Sequence, residues 1–205
     1  MEPVFMVLGQ SSAMAAVQAI DRNLSVQKID VSRLKQQLKS DPLADGSTPD
    51  ILIDNNNTDK VQVKGNWTVQ KKGGYGLDYF EAPEDADTTR SVRYNPGIAT
   101  KGTYDVYTYY PKAGSSDIET VVKIFDGKAY KTILIKSAEV KVLGQTSGEW
   151  VSLGKYSFSG SNHPYIEIKS NGTKAVADAV LLVPSPSEFN YCKAAIKAKH
   201  PLSNQ

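Results

Sequence analysis

The stretch Lys174–Pro184, KAVADAVLLVP, limits what this chain can fold into more than any other. Read with a period of two, Val176, Val180 and Leu182 face one way, with Asp178 among them. Ala175, Ala177, Ala179, Leu181 and Val183 face the other. Both faces are apolar, which predicts a central strand covered on both sides and not an exposed edge. The alanines predict a neighbour packed very close on their side. Asp178 is the exception: a carboxylate in such a strand must be hydrogen-bonded, paired or metal-bound, because burying it alone is strongly unfavourable.

The residues around this stretch repeat its pattern. From Ile51 onward, short apolar or alternating runs are separated by turn residues. The candidate strands are Ile51–Ile53, Val61–Val63, Asn66–Val69, Ser91–Tyr94, Gly102–Tyr109, Thr120–Phe125, Ala129–Ile135, Trp150–Phe158, Tyr165–Lys169 and Ala175–Val183. Asp126-Gly127, between two alternating runs, is the strongest hairpin signal. Of the 11 tyrosines, all but Tyr191 lie between Tyr75 and Tyr165, which suits pleated surfaces. Many short strands with no long helix between them predict a mainly β fold, an antiparallel sandwich or jelly roll.

The flanking segments read differently. Gly9, Ser11, Ser12, Ala13, Ala15, Ala16 and Ala19 predict a helix of small residues ending near Asp21–Asn23. A second helix fits Val31–Ser40, with Asp30 as its N-cap. Residues 42–50, PLADGSTPD, have linker composition, so a domain boundary is expected there. Limited proteolysis should nick within 42–50 and leave a folded β-unit. Loss of that fold on deletion of residues 1–45 is the contrary result. After Pro184, Ser187 can cap a short C-terminal helix with Phe189, Cys192 and Ile196 on one face.

Bulk properties exclude several classes. No apolar run approaches the length needed to cross a bilayer. The net charge of +2 comes from interspersed residues, so no basic footprint for nucleic acid is seen. A single cysteine, Cys192, excludes an internal disulfide. The N-terminus lacks the basic start and apolar length of a secretory signal.

Two resemblances follow from the motifs. Residues 4–38, VFMVLGQSSAMAAVQAIDRNLSVQKIDVSRLKQQL, resemble the C-terminal end of FAD-dependent oxidoreductases of the glutathione-reductase-like type. In that family such a segment opens a helix whose N-terminus points at the flavin, a favourable end for negative charge. The resemblance implies that Gly9, Gln10 and Ser11 lie nearest the flavin in a full-length parent. No G-x-G-x-x-G occurs in the chain, so the FAD-binding body is expected to be missing and the chain alone to hold no cofactor.

The second half carries IDN (53–55), Gly65-Asn66-Trp67, GYGLDY (74–79), GTYDVYTYYP (102–111), EWVSLGKYSF (149–158) and VADAV (176–180). In that order these resemble the golvesin C-terminal-like domain, over about 51–184. The family also occurs in proteins labelled xanthan lyase. It implies a β-sandwich, usually secreted, with a suspected carbohydrate-binding role. The parent is then expected to be extracellular or periplasmic, with polysaccharide as its partner. Lyase activity is not implied, because the helical catalytic domain of such enzymes is absent from these residues.

Little in the chain points to chemistry. His163, His200 and Cys192 form no recognisable nucleophile–base frame or metal cluster. Ser152 lies in a strand and not on a nucleophile elbow. Glu84–Asp87 reads as a solvated acidic loop, and no metal site is assigned. For a sugar ligand the candidates are Tyr75, Asp78, Tyr79 and Tyr110, with Tyr75 and Tyr79 expected in an exposed Gly-rich loop. Trp67 and Trp150 are expected in the core. Asp54 and Asp178, at the first and last strands of the β-unit, are read as structural. Hydrogen bonding to backbone ranks first for them, calcium second, and a catalytic pair a distant third.

Three functional readings follow. The leading one is a non-catalytic, carbohydrate-binding accessory module. The others are a purely structural or adhesion module, and an enzyme fragment whose helix completes a flavin site in the parent.

Overall fold

The computed structural model describes residues 2–40, 48–85, 87–112, 118–159 and 162–185, with side chains from residue 7 onward. The expected C-terminal helix lies outside the described residues, as does most of the 42–50 linker. The chain divides into two compact units between Pro49 and Asp50.

The first unit holds two helices, α1 (Glu2–Asp21) and α2 (Val31–Ser40), with one 3-10 turn at Val26–Lys28 between them. α1 ends where Asn23 takes a left-handed φ of 49° and the Leu24 N–H returns to the Ala19 carbonyl at 2.9 Å. α2 starts as its sequence predicts, with Asp30 Oδ1 accepting the Arg33 N–H at 3.0 Å. The start of α1 is a correction. Pro3 suits a first helical turn, and the apolar residues after it extend the helix upstream. Gly9, Gln10 and Ser11 therefore lie inside α1, and Ser11 Oγ donates back to the Val7 carbonyl at 2.8 Å. These three residues do not form the free helix N-terminus that a flavin would meet. Val7, Val17 and Ile20 are more than half exposed. Among the described residues no helix is long and apolar enough to cross a membrane.

The second unit is antiparallel β throughout, as the alternation predicts. Its strands are β1 (Ile51–Ile53), β2 (Val61–Lys64), β3 (Thr68–Gln70), β4 (Tyr79–Ala82), β5 (Ser91–Tyr94) and β6 (Gly102–Pro111). They continue with β7 (Glu119–Phe125), β8 (Tyr130–Lys136), β9 (Gly148–Phe158), β10 (Tyr165–Ser170), β11 (Ala175–Ala177) and β12 (Val180–Pro184). Three sheets form, in the orders β1-β12-β6-β9, β2-β5-β10-β7-β8 and β11-β4-β3. Their inner faces share one core that includes Ile53, Val92, Tyr94, Val106, Ile124, Ile166 and Leu182.

The organising stretch is not one strand. It breaks at Asp178-Ala179: β11 pairs with β4, and β12 pairs with β1 and β6. Both halves are apolar because each is covered, but by different partners. Ala175, Ala177 and Ala179 are all buried, in line with the close packing that their size allows. β4 was not expected as a strand, since its residues follow directly on a glycine-rich run.

Two local features set the site's frame. The β7–β8 hairpin turns at Asp126-Gly127 as predicted, with Gly127 at φ 101° and Asp126 Oδ1 accepting the Lys128 and Ala129 N–H groups. In the β6–β9 pair the register shifts, Val106 facing Gly154 and Tyr107 facing Ser152. Leu153 is the extra residue of that bulge, and Gly154 supplies its φ of 101°. The shifted register sets Trp150 opposite Tyr109. The acidic stretch also differs from a freely solvated loop: Asp85 and Asp87 flank the buried Arg90 guanidinium.

Candidate functional site

Residues 71–78, KKGGYGLD, link β3 to β4 and cross the end of the sandwich beside β1 and the β11–β12 break. The glycines there answer to space. A Cβ on Gly74 would lie 2.0 Å from the Asp78 carbonyl oxygen, and one on Gly76 would lie 2.7 Å from Asp54 Oδ2. Gly73 takes φ 96°. Leu77 holds a left-handed φ of 89° without being glycine and is 79% exposed, a locally strained residue at the tip.

Three carboxylates hold this loop. Asp178 is fully buried, and its Oδ2 accepts the Tyr75 N–H at 2.8 Å across the break between β11 and β12. The peptide groups freed by that break are taken up elsewhere. The Tyr94 hydroxyl donates to the Asp178 carbonyl at 2.6 Å, and the Tyr109 N–H and Thr108 hydroxyl donate to the Ala179 carbonyl. Asp78 Oδ1 accepts the side-chain amides of Asn55 at 2.9 Å and Asn56 at 2.7 Å, and Lys71 Nζ lies 3.5 Å from its Oδ2. Asp54 Oδ2 accepts Asn56 Nδ2 at 3.2 Å, while its backbone N–H donates to Asn57 Oδ1 at 2.8 Å.

Their electrostatics differ sharply. The amide of Asn55, helped by Asn56 and Lys71, holds the Asp78 carboxyl below its ordinary value. Burial, joined by the neighbouring Asp54 and Asp78 charges, pushes Asp178 up to about 7 against the pull of the Tyr75 N–H. Burial also raises the Tyr94 hydroxyl well above its ordinary value, so it stays a proton donor to the Asp178 carbonyl. A carboxyl near neutrality is a feature of general acids. Asp178, however, has no exposed surface, so no substrate atom reaches it.

The outer side of the loop is aromatic. The Tyr75 ring lies edge-on to Tyr109 at 5.6 Å and to Trp150 at 5.3 Å, and Tyr109 and Trp150 are 5.2 Å apart. Ser147 Oγ joins the loop to this trio, donating to the Gly74 carbonyl at 3.2 Å and lying 2.8 Å from the Tyr109 hydroxyl. Tyr75 remains 45% exposed.

Of the four ligand candidates from sequence, Tyr75 and Asp78 share this loop, the first against the aromatic pair and the second against Asn55, Asn56 and Lys71. Tyr79 and Tyr110 are corrections, being 7% and 3% exposed. Tyr79 sits in β4 between β3 and β11 with its ring in the core, and the Tyr110 hydroxyl, 3.5 Å from the Ile118 carbonyl, is raised to about 12 by burial. Neither offers a ring face to a ligand. Trp67 is partly buried against the core, with its indole N–H donating to the Lys64 carbonyl at 3.1 Å. Trp150, expected in the core, instead belongs to the rim. Asn55, Asn56, Tyr109 and Trp150 were missed as site residues. The IDNNN run was a visible signal for the first two; the aromatic pair needs the β6–β9 register, which no spacing in the sequence discloses.

This arrangement defines a class: an antiparallel β-sandwich presenting a braced loop with aromatic and amide groups at one end. Residues 51–184 match the Golvesin C-terminal domain, and the chain belongs to that family. It is similar to a xanthan lyase from Bacillus sp. (strain GL1), 27% identical over 142 residues, which is 66% of this chain and 15% of the lyase. The solved structure of a Paenibacillus xanthan lyase shares the fold at 27% identity and a TM-score of 0.57, over 67% of this chain and 13% of that one. A family 35 carbohydrate binding module from Clostridium thermocellum aligns at 12% identity and a TM-score of 0.45, covering 64% of this chain and 97% of the module, a distance at which the likeness carries no argument. The chain thus spans only a small part of the lyases it resembles.

Proposed function

We propose that the β-unit is a non-catalytic accessory module that binds carbohydrate at the 71–78 rim. The observation that carries this reading is the half-exposed Tyr75 ring, fixed against Tyr109 and Trp150, in the same loop whose Asp78 is met by Asn56 and Lys71. An aromatic face stacks on the C–H face of a pyranose, while carboxylate, amide and ammonium groups take its hydroxyls. The loop is held before any ligand arrives, which lowers the entropy lost on binding. Family membership and the match to part of two xanthan lyases support a polysaccharide ligand, and with it a parent working outside the cytoplasm. The assignment of residues 1–41 to the end of an FAD-dependent oxidoreductase rests on sequence resemblance alone.

A glycan array on residues 46–205, followed by calorimetry on the best ligand, tests the reading. Tyr75→Ala should weaken binding about tenfold or more, the loss of roughly 1.4 kcal/mol expected of an anchoring aromatic. Tyr130→Ala, an exposed tyrosine on β8, should leave binding unchanged. Failure of every glycan to bind would favour a structural or adhesion module.

A further inference from the structure

We propose that the Asp54–Asn55–Asp178 corner beneath the 71–78 loop is a binding site for a hard divalent cation of the calcium type. Three acceptor oxygens there, Asp54 Oδ1, Asn55 Oδ1 and Asp178 Oδ1, are buried and have no hydrogen-bond partner. Asp178 has no exposed surface, and Asn55 is 3% exposed. The orientation of Asn55 is fixed by its Nδ2 donating to Asp78, so it is the oxygen that is left unpaired. A buried acceptor without a donor carries a desolvation penalty, and three in one corner ask for one common partner.

The partner has to be positive. Two of the three orphaned oxygens belong to carboxylates, and the carboxylates of Asp178 and Asp54 both lie against the loop, at Gly74 and Gly76. The ammonium of Lys71 lies against Asp78 on the outer side and is 78% exposed, so it does not serve the interior. Asp78 is not a donor to the site, since Asn55 and Asn56 occupy its Oδ1 and Lys71 faces its Oδ2. That leaves two carboxylates and one amide, consistent with no group of three or more His, Cys, Asp or Glu being placed for a metal among the described residues. All the donors are oxygens, which selects calcium or magnesium over zinc or copper. Calcium takes about six to eight oxygens and accepts irregular geometry, so carbonyls and water complete the shell.

The cation would tie β1, the β11–β12 break and the loop to one point. Its binding is readable without any sugar, so this proposal and the carbohydrate reading fail separately. The full chain, stripped with chelator, is titrated with calcium and with magnesium while thermal unfolding is followed. Calcium at about a thousand times its dissociation constant should raise the unfolding temperature by several degrees. Asp54→Asn should abolish that rise, whereas Asp85→Asn, in the Arg90 cluster, should keep it. A wild-type protein with the same unfolding temperature in chelator and in calcium overturns the proposal, whether or not a variant folds. A calcium response retained in Asp54→Asn overturns the placement.

Discussion

Gly74→Ala should lower the stability of the β-unit by about 3 kcal/mol or more, among the largest effects of any single methyl group in this chain. The added Cβ would stand 2.0 Å from the Asp78 carbonyl oxygen and 2.5 Å from its carbon. Both are backbone atoms of the same loop, so no rotamer change relieves the overlap and the loop has to open. Opening it breaks the Tyr75 N–H bond to Asp178 and the Ser147 bond to the Gly74 carbonyl. It leaves a fully buried carboxyl with no donor, which adds to the steric term. Gly102→Ala is the matched control: its Cβ would meet only the Tyr104 ring, at 3.8 Å, an ordinary contact. Urea unfolding of the two variants checks the difference, and near-ultraviolet circular dichroism reports the Tyr75–Trp150 packing. A Gly74→Ala protein within about 0.5 kcal/mol of wild type, as most surface substitutions are, would show that the loop does not brace the sandwich.

Much of the frame was legible because it is local. Asp126-Gly127 encodes its own hairpin, Asp30 its own cap, and β1 and β5 keep the boundaries their alternation predicts. What escaped depends on pairing. Ala175–Val183 alternates without interruption, and only the presence of β4 on one side and of β1 and β6 on the other splits it at Asp178. Asp178 itself was the visible clue, since a carboxylate is a poor tenant of a continuous strand. Tyr75 and Tyr79 sit four residues apart in one glycine-rich run, yet one ring is at the rim and the other in the core. The difference arises where β4 begins, which composition does not mark. Trp150 and Tyr109 meet through a register set by the Leu153 bulge, a long-range fact. The small-residue run that marks α1 begins at Gly9, whereas the helix also takes in the apolar residues after Pro3, which carry no small-residue signal.

The pH dependence of stability should turn on Asp178. Its carboxyl is raised in the folded protein to about 7 from an ordinary value of 3.8. The folded state therefore holds this proton more tightly than the unfolded chain does. The associated stability is fully present below about 3.8 and is lost as pH rises through about 7. That interval corresponds to about 4 kcal/mol at roughly 1.4 kcal/mol per pKa step, an upper figure for a loop able to relax. The lowered groups Asp78 and Asp126 act in the opposite sense, but below pH 4, outside this window. In chelator, wild-type protein should thus be more stable at pH 5 than at pH 8. Asp178→Asn keeps an acceptor for the Tyr75 N–H and removes the charge, so it should flatten the slope and exceed wild type at pH 8 by about 1–3 kcal/mol. Asp178→Ala also removes the acceptor and should cost about 1–3 kcal/mol at pH 5, where the wild-type carboxyl is largely neutral. Urea midpoints at the two pH values separate these outcomes. If Asp178→Asn retained the wild-type slope between pH 4 and 7, the titrating group would have to lie elsewhere, and the buried carboxyl would not be the residue that senses the break between β11 and β12.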